Sequence, residues 1–265
     1  KKDDIFFAIE GNKISGTKYI NQAILKGASA IVSNKKIKLK DSKIPVIVIK
    51  DVREGLSRSS SKFYKKKPEN IIAVTGTNGK SSVADFFYQI LTLSKIPVAS
   101  IGTLGILSKN YKKRTKLTSL DPISLHKNLS IVAKKKINHV ILEASSHGLK
   151  QKRLDNLNIK IGIFTNLSHD HLDYHNNMKS YLKSKMYLFK NLLNKNSTII
   201  TDEENKEFRI IENIANKRKL KKVTLGSDSG TLKILKHKYI SNKQIVKISI
   251  NSKVFSFQVP LIGYF

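Results

Sequence analysis

The stretch Thr75-Gly76-Thr77-Asn78-Gly79-Lys80-Ser81-Ser82, directly after the apolar run Ile71–Val74, decides the fold of this chain. Its glycines let the backbone turn its N–H groups inward, and the helix predicted to follow adds its positive dipole end, so the stretch predicts a phosphate-binding loop. Lys80 is expected to contact the β- and γ-phosphates of a nucleotide, and Ser81 to coordinate Mg²⁺. Val74 occupies the position of the motif's first glycine. The alternative is therefore a glycine turn that carries an exposed lysine.

Strand and helix patterns alternate around this loop, as is typical of α/β proteins with a parallel sheet and crossover helices. The strand patterns are Ile5–Ile9, Ala30–Val32, Val46–Ile49, Ile71–Val74, Val98–Ile101, Val140–Leu142, Ile161–Phe164 and Thr198–Ile200. The helix patterns are Tyr19–Leu25, Val52–Tyr64, Pro122–Lys134, Met178–Leu193 and Glu204–Ala215, and a further helix carries an apolar stripe at Val83, Phe86, Phe87, Ile90 and Leu91. The spacing of that stripe predicts one buried face.

Two further patterns divide the chain. Lys65-Lys66-Lys67-Pro68 interrupts the alternation with charge and a helix-stopping proline, so we predict a small α/β domain at residues 1–67 and a central, doubly wound domain at 68–265. The runs Leu232–Leu235, Ile245–Ile250 and Val254–Val259 are separated by turn residues such as Ser241-Asn242, and they predict a short antiparallel meander at the end of a mostly parallel sheet.

The chain is strongly basic, with 50 Lys and Arg against 19 Asp and Glu and a net charge of +31, which would attract any polyanion. Only six of these residues are arginines, and the lysines are scattered, whereas a nucleic-acid groove needs basic residues on one face and favours arginine. We interpret the charge as a bias of solvated surfaces. The lack of cysteine excludes disulfides and thiolate sites, and the lack of a long apolar run predicts no membrane span.

Polar clusters follow two more predicted strands, at the strand ends where ligands collect in doubly wound sheets. Glu143 is either a Mg²⁺ ligand or part of a capping cluster over residues 143–148, and spacing alone favours neither. The run Thr165–His175 holds the histidines His169, His171 and His175 with two aspartates. Without cysteine or an H-E-x-x-H pair, this run fits Mg²⁺ and phosphate chemistry better than zinc. Lys185 falls inside a predicted helix, where spacing alone indicates no more than a solvated charge.

Four segments carry a resemblance to a known family. Thr75–Ser82 resembles the phosphate loop of the Mur ligases, T-G-T-N-G-K-[ST], which folylpolyglutamate synthases and cyanophycin synthetases share. The segment E-A-S-S-H-G-L-K-Q-K-R at Glu143–Arg153 is similar to the Mur ligases that add the third residue of the peptidoglycan peptide. T-N-L-S-H-D-H-L-D-Y-H at Thr165–His175 and Y-x-x-x-K at Tyr181–Lys185 match the same branch. Asp4–Gly11 resembles the uridine-binding domain of the family.

The resemblance implies an ATP-dependent ligase that phosphorylates the terminal carboxylate of UDP-N-acetylmuramoyl-L-alanyl-D-glutamate and lets an amino acid displace the phosphate. It implies that ATP is held by Gly76, Thr77, Asn78, Gly79, Lys80, Ser81 and Ser82. It implies two Mg²⁺ ions, one on Ser81 and Glu143 and one on His171 and a Lys185 carbamylated by CO₂, with Lys80, His171 and Lys185 as catalytic residues. The implied contacts to the UDP-linked dipeptide are Thr118, Ser119, Ser145, Gln151 and Arg153, with uridine near Asn12–Ile14.

The chain also departs from the family pattern. Thr118-Ser119-Leu120-Asp121-Pro122 stands where the family usually has T-T-P-D-P, and His169 stands where arginine is more common. Because Leu261–Phe265 resembles the link into a third domain, we expect a fragment that lacks the extreme N-terminus and the amino-acid-binding domain and is inactive alone.

Three expectations concern the activity and its setting. The third amino acid is expected to be diaminopimelate, with lysine as the other choice. We expect a cytoplasmic monomer with small-molecule substrates and no nucleic-acid or membrane partner. The alternatives are a ligase similar to folylpolyglutamate synthase and a lysine-rich, nucleic-acid-binding phosphate-loop module.

Overall fold

The computed structural model describes residues 2–11, 14–39, 43–227, 230–240 and 243–260. The strands are β1 (Ile5–Phe7), β2 (Ala30–Ser33), β3 (Val46–Val48), β4 (Asn70–Thr75), β5 (Val98–Gly102), β6 (Gly105–Ser108), β7 (His139–Glu143), β8 (Ile159–Phe164), β9 (Leu193–Asp202), β10 (Lys221–Gly226), β11 (Leu232–Ile240), β12 (Lys243–Ile250) and β13 (Lys253–Val259). The helices are α1 (Ile20–Leu25), α2 (Val52–Phe63), α3 (Lys80–Leu93), α4 (Pro122–Lys134), α5 (Ser146–Lys150), α6 (Leu172–His175), α7 (Met178–Tyr187) and α8 (Phe208–Arg218). Within the described ranges, no helix is both long and apolar enough to cross a membrane.

The smaller of two sheets contains the first three strands in the order β1-β2-β3, all parallel. Ile31 of the middle strand packs with Ile20 and Ala28 into a core of its own, which α1 covers. The predicted boundary at Lys67 and Pro68 falls in the connection between α2 and β4.

The larger sheet has the order β13-β12-β11-β10-β9-β8-β4-β7-β5-β6. The strands from β11 to β5 in this order are parallel, β6 is an antiparallel edge, and β11 to β13 form the antiparallel meander. The order reverses around β4, with β7 on one side and β8 on the other, which is the topology of a doubly wound sheet. The predicted fold class is therefore confirmed.

Burial on both faces of β4 explains its continuous apolar sequence, since successive side chains of a strand point to opposite sides. Ile71 and Ala73 belong to the large core on one side, whereas Ile72 and Val74 belong to a smaller core with Ala84 of α3. The helices that cover the sheet begin where local chemistry predicts. Asp121 caps α4 by accepting a hydrogen bond from Ser124 N at 3.0 Å, and Pro122 occupies its first turn.

Tertiary contacts changed several predicted elements. The helix predicted over Met178–Leu193 ends at Tyr187, followed by a π-helical turn at Leu188–Leu192, and Leu193 already begins β9. The predicted buried face of α3 was wrong in part. Val83 and Phe87 pack against the sheet, whereas Phe86 and Ile90 are 43% and 61% exposed, because no described element covers that side of the helix. The turn predicted at Ser241-Asn242 lies outside the described residues.

Sequence analysis missed β6, which has only four residues, and β10, which begins with polar residues. β6 is the antiparallel edge beside β5, and β10 lies between β9 and β11. β10 begins with two exposed lysines, Lys221 and Lys222, which weakens its apolar pattern.

Helix α2 of the first unit is joined to the segment between α5 and β8 by hydrogen bonds and an ion pair. Ser57 Oγ donates to the backbone oxygen of Asp155 at 2.6 Å, and Ser61 Oγ donates to that of Asn156 at 3.1 Å. Lys152 Nζ lies 2.7 Å from a carboxylate oxygen of Asp51. These contacts fix α2 against the loop that carries two of the expected substrate-binding residues.

The carboxyl group of Asp155 is buried at this junction. Its Oδ2 accepts a hydrogen bond from the Tyr187 hydroxyl at 2.9 Å, while its Oδ1 is buried without a partner. Burial raises the pKa of Asp155 to about 6, although the Tyr187 hydrogen bond and the charge of Lys152 oppose the shift. The contribution of Asp155 to the stability of the fold is therefore fully present below pH 3.8, its pKa in the unfolded chain. This contribution is lost as the pH rises through 6, where the buried carboxyl ionises.

We predict that Asp155→Asn raises stability at neutral pH, because the amide cannot ionise and still accepts the Tyr187 hydrogen bond. Urea unfolding should show a gain of about 2–3 kcal/mol at pH 7.5 that disappears below about pH 4. Asp85→Asn, at a surface position on α3, serves as the control and should show no such trend. A difference between Asp155→Asn and the unsubstituted protein that does not vary with pH contradicts the prediction.

Candidate functional site

Four neighbouring parallel strands, β8, β4, β7 and β5, end at one edge of the large sheet and bring the predicted site residues together. The phosphate loop follows β4, Glu143 ends β7, Thr103 follows β5, and Thr165 follows β8. A cavity of about 150 Å³ opens there, lined by Lys80, Ser81, Thr103, Thr118, Glu143, Ser145, Ser146, His171, Tyr181 and Lys185. Sequence analysis predicted polar clusters at the ends of strands, and the order of these strands in the sheet makes the clusters neighbours.

The phosphate loop needs its glycines for conformation and for space. Gly79 has a φ of 80° and immediately precedes α3, and Gly76 has a φ of 154°. A Cβ at Gly76 would lie 1.8 Å from Thr165 Oγ1, so no side chain fits there. The first turn of α3 therefore presents its N–H groups next to a bare backbone loop, the arrangement that binds phosphate.

The loop after β8 holds the phosphate loop in place. Thr165 Oγ1 donates to the backbone oxygen of Asn78 at 2.6 Å, and the backbone N–H of Asn78 donates to Asn166 Oδ1 at 2.9 Å. The Ser168 N–H donates to Thr77 Oγ1 at 3.0 Å. Sequence analysis gave no individual role to Thr165 or Asn166. Their position directly after the strand that pairs with β4 is the signal that points to them.

Lys80 is held close to the phosphate loop. Its Nζ donates to the backbone oxygens of Gly76 and Thr77 at 3.0 and 2.7 Å. Burial lowers the pKa of Lys80, and the charges of Glu143 and Asp170 partly oppose the shift. The ammonium group is thus fixed where it can meet an anion bound by the loop.

Glu143 is a buried carboxylate that only neutral donors surround. Its Oε2 accepts from Ser81 Oγ at 2.8 Å and from Thr103 Oγ1 at 3.0 Å, and its Oε1 accepts from the Thr103 N–H at 2.8 Å. No Lys, Arg or His in the described part of the chain lies within ion-pair distance of it. A buried carboxylate and a hydroxyl beside a phosphate loop fit Mg²⁺, which prefers oxygen ligands.

Thr103 was missed by sequence analysis, although it follows a predicted strand at the same sheet edge. Besides its two hydrogen bonds to Glu143, its hydroxyl lies 3.1 Å from the hydroxyl of Thr118. The preceding residue, Gly102, leaves room for the carboxylate, because a Cβ there would lie 2.1 Å from Glu143 Oε1. Thr103 therefore orients Glu143 and connects it to a residue expected to bind substrate.

Lys185 is not the solvated charge that its spacing suggested, because it is 1% exposed. Its Nζ donates to the backbone oxygen of Gly76 at 2.5 Å and lies 4.2 Å from the centre of the Tyr181 ring. Burial, reinforced by the charge of Lys80, lowers the pKa of Lys185 to about 7. The tertiary structure thus places a second lysine beneath the phosphate loop and makes its neutral form accessible.

The three histidines of the β8 loop differ in environment. His175 is fully buried, and its Nε2 lies 3.0 Å from Ser146 Oγ, which indicates a structural role. His169 is exposed. His171 has a φ of 52° and lines the cavity, and its Nε2 lies 3.4 Å from Asp170 Oδ2. Across the described ranges, no three His, Asp or Glu side chains form a metal-binding group.

The expected substrate-binding residues meet beside Glu143. Ser119 Oγ donates to the backbone oxygen of Glu143 at 2.8 Å and accepts from the Ser145 N–H at 2.9 Å. Ser145 also caps α5 by accepting a hydrogen bond from Gly148 N, as the alternative of a capping cluster over residues 143–148 predicted. Glu143, by contrast, lines the cavity. Gln151 and Arg153 lie just beyond, hydrogen-bonded to each other. Asn12 and Lys13, near the expected uridine contact, lie outside the described residues.

A doubly wound α/β sheet with a phosphate loop, a buried carboxylate and two lysines at one edge defines a protein of the phosphate-loop class. Within this class, the chain belongs to the Mur ligase family. The profile "Mur ligase middle domain" matches residues 74–265, and the profile "Mur ligase family, catalytic domain" matches residues 1–64.

Individual relatives agree with this assignment. The chain is 37% identical over its whole length to the "UDP-N-acetylmuramoyl-L-alanyl-D-glutamate--2,6-diaminopimelate ligase" of Rhizobium meliloti, of which it covers 54%. It is 36% identical to the relative of the same name from Rickettsia montanensis, covering 100% of this chain and 56% of that protein. The chain thus spans about half the length of these curated relatives.

Solved structures show the same fold. The structure titled as a UDP-N-acetylmuramoyl-L-alanyl-D-glutamate–2,6-diaminopimelate ligase superposes with a TM-score of 0.86 and 27% identity, over 100% of this chain and 54% of that one. The apo form of the L. casei FPGS shares the fold with a TM-score of 0.65 and 12% identity, over 86% of this chain and 60% of that one.

We predict that Thr103→Val weakens the metal site, because it removes one of the hydrogen bonds that orient Glu143 and changes the volume little. The Mg²⁺ concentration for half-maximal ADP binding, measured by calorimetry, should rise about tenfold, the lower end of the range for residues that support metal ligands. Thr115→Val is the matched control, because the Thr115 hydroxyl contacts only backbone oxygens nearby. Equal Mg²⁺ requirements in the two variants would show that Thr103 does not support the site.

Proposed function

We propose that this chain forms the nucleotide-binding, carboxylate-activating part of an ATP-dependent amide ligase of peptidoglycan precursor synthesis. Its substrate is UDP-N-acetylmuramoyl-L-alanyl-D-glutamate, and the amino acid added is meso-diaminopimelate, as the names of its relatives suggest. The observation that carries the proposal is the contact of the buried Glu143 with Ser81 of the phosphate loop, with Lys80 and Lys185 in the same cavity.

The reaction consists of two displacements. A carboxylate oxygen of the UDP-linked dipeptide attacks the γ-phosphorus of ATP, the bond to the ADP oxygen breaks, and an acyl phosphate forms. The amino group of the amino acid then attacks the acyl carbon, the C–O bond to phosphate breaks, and phosphate and a proton leave as the amide forms. The protein's contribution is to position the reactants and neutralise charge, and the N–H groups of Gly76–Ser82 with Lys80 suit this task.

When bound, Mg²⁺ would neutralise part of the charge of the phosphate groups. Ser81 and Glu143 offer a hydroxyl and a carboxylate oxygen for a first ion. For a second ion we propose His171 and a carbamylated Lys185. An amine reacts with CO₂ only when it is neutral, and burial beside Lys80 makes that form of Lys185 accessible near neutral pH. The carbamate would give this position an oxygen ligand in place of a cation.

The UDP-linked substrate is proposed to lie across both units of the chain. Residues 1–67 form the uridine-binding domain in this proposal, and residues 68–265 hold the dipeptide end. On that side, Ser119 Oγ contacts the backbone oxygen of Glu143 and the hydroxyl of Ser145. The Thr118 hydroxyl lies beside that of Thr103, and Arg153 donates to the backbone oxygen of Ser119. Gln151 lies next to Arg153. We place the activity in the cytoplasm, in a monomer whose partners are small molecules.

We predict that Lys80→Ala impairs nucleotide binding, because the bound phosphates lose a charged hydrogen-bond donor. Calorimetry should show ADP affinity in the presence of Mg²⁺ reduced about 10- to 100-fold, as expected for loss of a hydrogen bond between charged groups. Lys127→Ala, on the exposed face of α4, should bind ADP as tightly as the unsubstituted protein. If both variants bind ADP equally well, Lys80 is not a phosphate ligand.

We predict that Lys185→Ala impairs ligation and that added short carboxylic acids restore part of the rate, because they supply the oxygen ligand that the carbamate provides. The substitutions are made in a ligase of the full length of the relatives, and phosphate release is followed with ATP, the UDP-linked dipeptide and diaminopimelate present. Lys183→Ala lies two residues away on the exposed side of α7 and should keep the unsubstituted rate. Full activity of Lys185→Ala without any acid would remove Lys185 from the reaction.

A further inference from the structure

The guanidinium group of Arg153 is held by neutral protein acceptors. Its Nη1 donates to the backbone oxygen of Ser119 at 2.6 Å, and its Nε and Nη2 both donate to Gln151 Oε1, at 3.0 and 2.6 Å. No Asp or Glu in the described ranges lies within ion-pair distance of Arg153. Arginine has five N–H donors, so two remain after these three, available to an anionic ligand.

The amide of Gln151 can point only one way in this arrangement. Because its Oε1 accepts two hydrogen bonds from Arg153, its Nε2 faces away from the guanidinium. That Nε2 lies 3.1 Å from the hydroxyl of Tyr174 and donates to it. A flipped amide would bring two sets of N–H donors together at Arg153, so Arg153 sets the orientation of the amide. The hydrogen bond to the Tyr174 oxygen holds the Gln151 side chain in place in that orientation.

The ring of Tyr174 is itself fixed from two sides. It stacks on the His147 ring, with centroids 3.9 Å apart and an interplanar angle of 31°. Lys150 Nζ lies 4.5 Å from the ring centre and 3.4 Å from the Tyr174 backbone oxygen. Tyr174 also lies on α6, the short helix that follows His171. The phenolic oxygen therefore has a defined position relative to the cavity.

We propose that Tyr174 is a positioning residue that holds Arg153, through the amide of Gln151, in the orientation that binds a carboxylate or phosphate group of the substrate. The inference rests on the proposed function for the identity of that substrate, the UDP-linked dipeptide. Tyr174 sets the affinity for this anionic substrate and leaves the affinity for the nucleotide unchanged.

A double-mutant cycle tests this relay, in which Tyr174 acts on Arg153 through the amide of Gln151. Tyr174→Phe removes only the phenolic oxygen and keeps the ring on His147. We expect the Kd of the UDP-linked dipeptide to rise about tenfold, and the Kd of ADP with Mg²⁺ to stay the same. In the Gln151→Ala background the same substitution should have no further effect, since the relay is already broken. Tyr88→Phe, on α3, is the control and should change neither Kd.

A measurement on the free protein separates this inference from the proposed function. In ¹H–¹⁵N NMR spectra, the Arg153 Nε–H should exchange with water several-fold faster in Tyr174→Phe, and at an unchanged rate in Tyr88→Phe. Unchanged exchange, or additive effects of the two substitutions on dipeptide affinity, overturns the positioning role. If the unsubstituted protein binds ADP but not the dipeptide, the proposed function fails and the substrate part of the inference fails with it, while the exchange rates still decide the relay.

Discussion

The hydrogen bonds that neutral groups donate to the buried carboxylate of Glu143 are the interaction on which the rest of the site depends. A buried charge without a partner is costly, and here three donors from Ser81 and Thr103 offset that cost only in part. The donors come from different strand ends, so the carboxylate ties the phosphate loop to β5. A cation bound here would neutralise the carboxylate charge that these neutral donors do not cancel.

Two lysines line the same cavity and donate to the same backbone oxygen, that of Gly76, and burial lowers the pKa of both. Lys80 donates to the loop from the first turn of α3, whereas Lys185 donates to Gly76 from α7. Two buried cations near each other are unfavourable unless anions join them or one of them loses its charge. In the proposed function, phosphate bound at Lys80 and a carbamate on Lys185 would relieve this repulsion in complementary ways. At this site Lys185 is buried and Lys80 is partly buried.

The fold was predictable from the sequence to the extent that local patterns are strong. The apolar run of β4, the glycines that follow it and the cap Asp121 with Pro122 each specify their element locally. The strand β10 and the end of α7 were missed or misplaced, since pairing and packing with distant segments decide them. The apolar stripe of α3 predicted a buried face, but periodicity cannot show whether a neighbour covers it.

By itself, the sequence determined most of the strands and helices, the phosphate loop, and which chemical groups stand at the strand ends. Those properties follow from short-range geometry, which neighbouring residues impose. The tertiary structure alone decided that β4 lies between β7 and β8, that Thr103 and Asn166 support Glu143 and the phosphate loop, and that Lys185 is buried. Each of these depends on contacts between residues far apart in the chain, and strand order and burial are properties of the packed molecule.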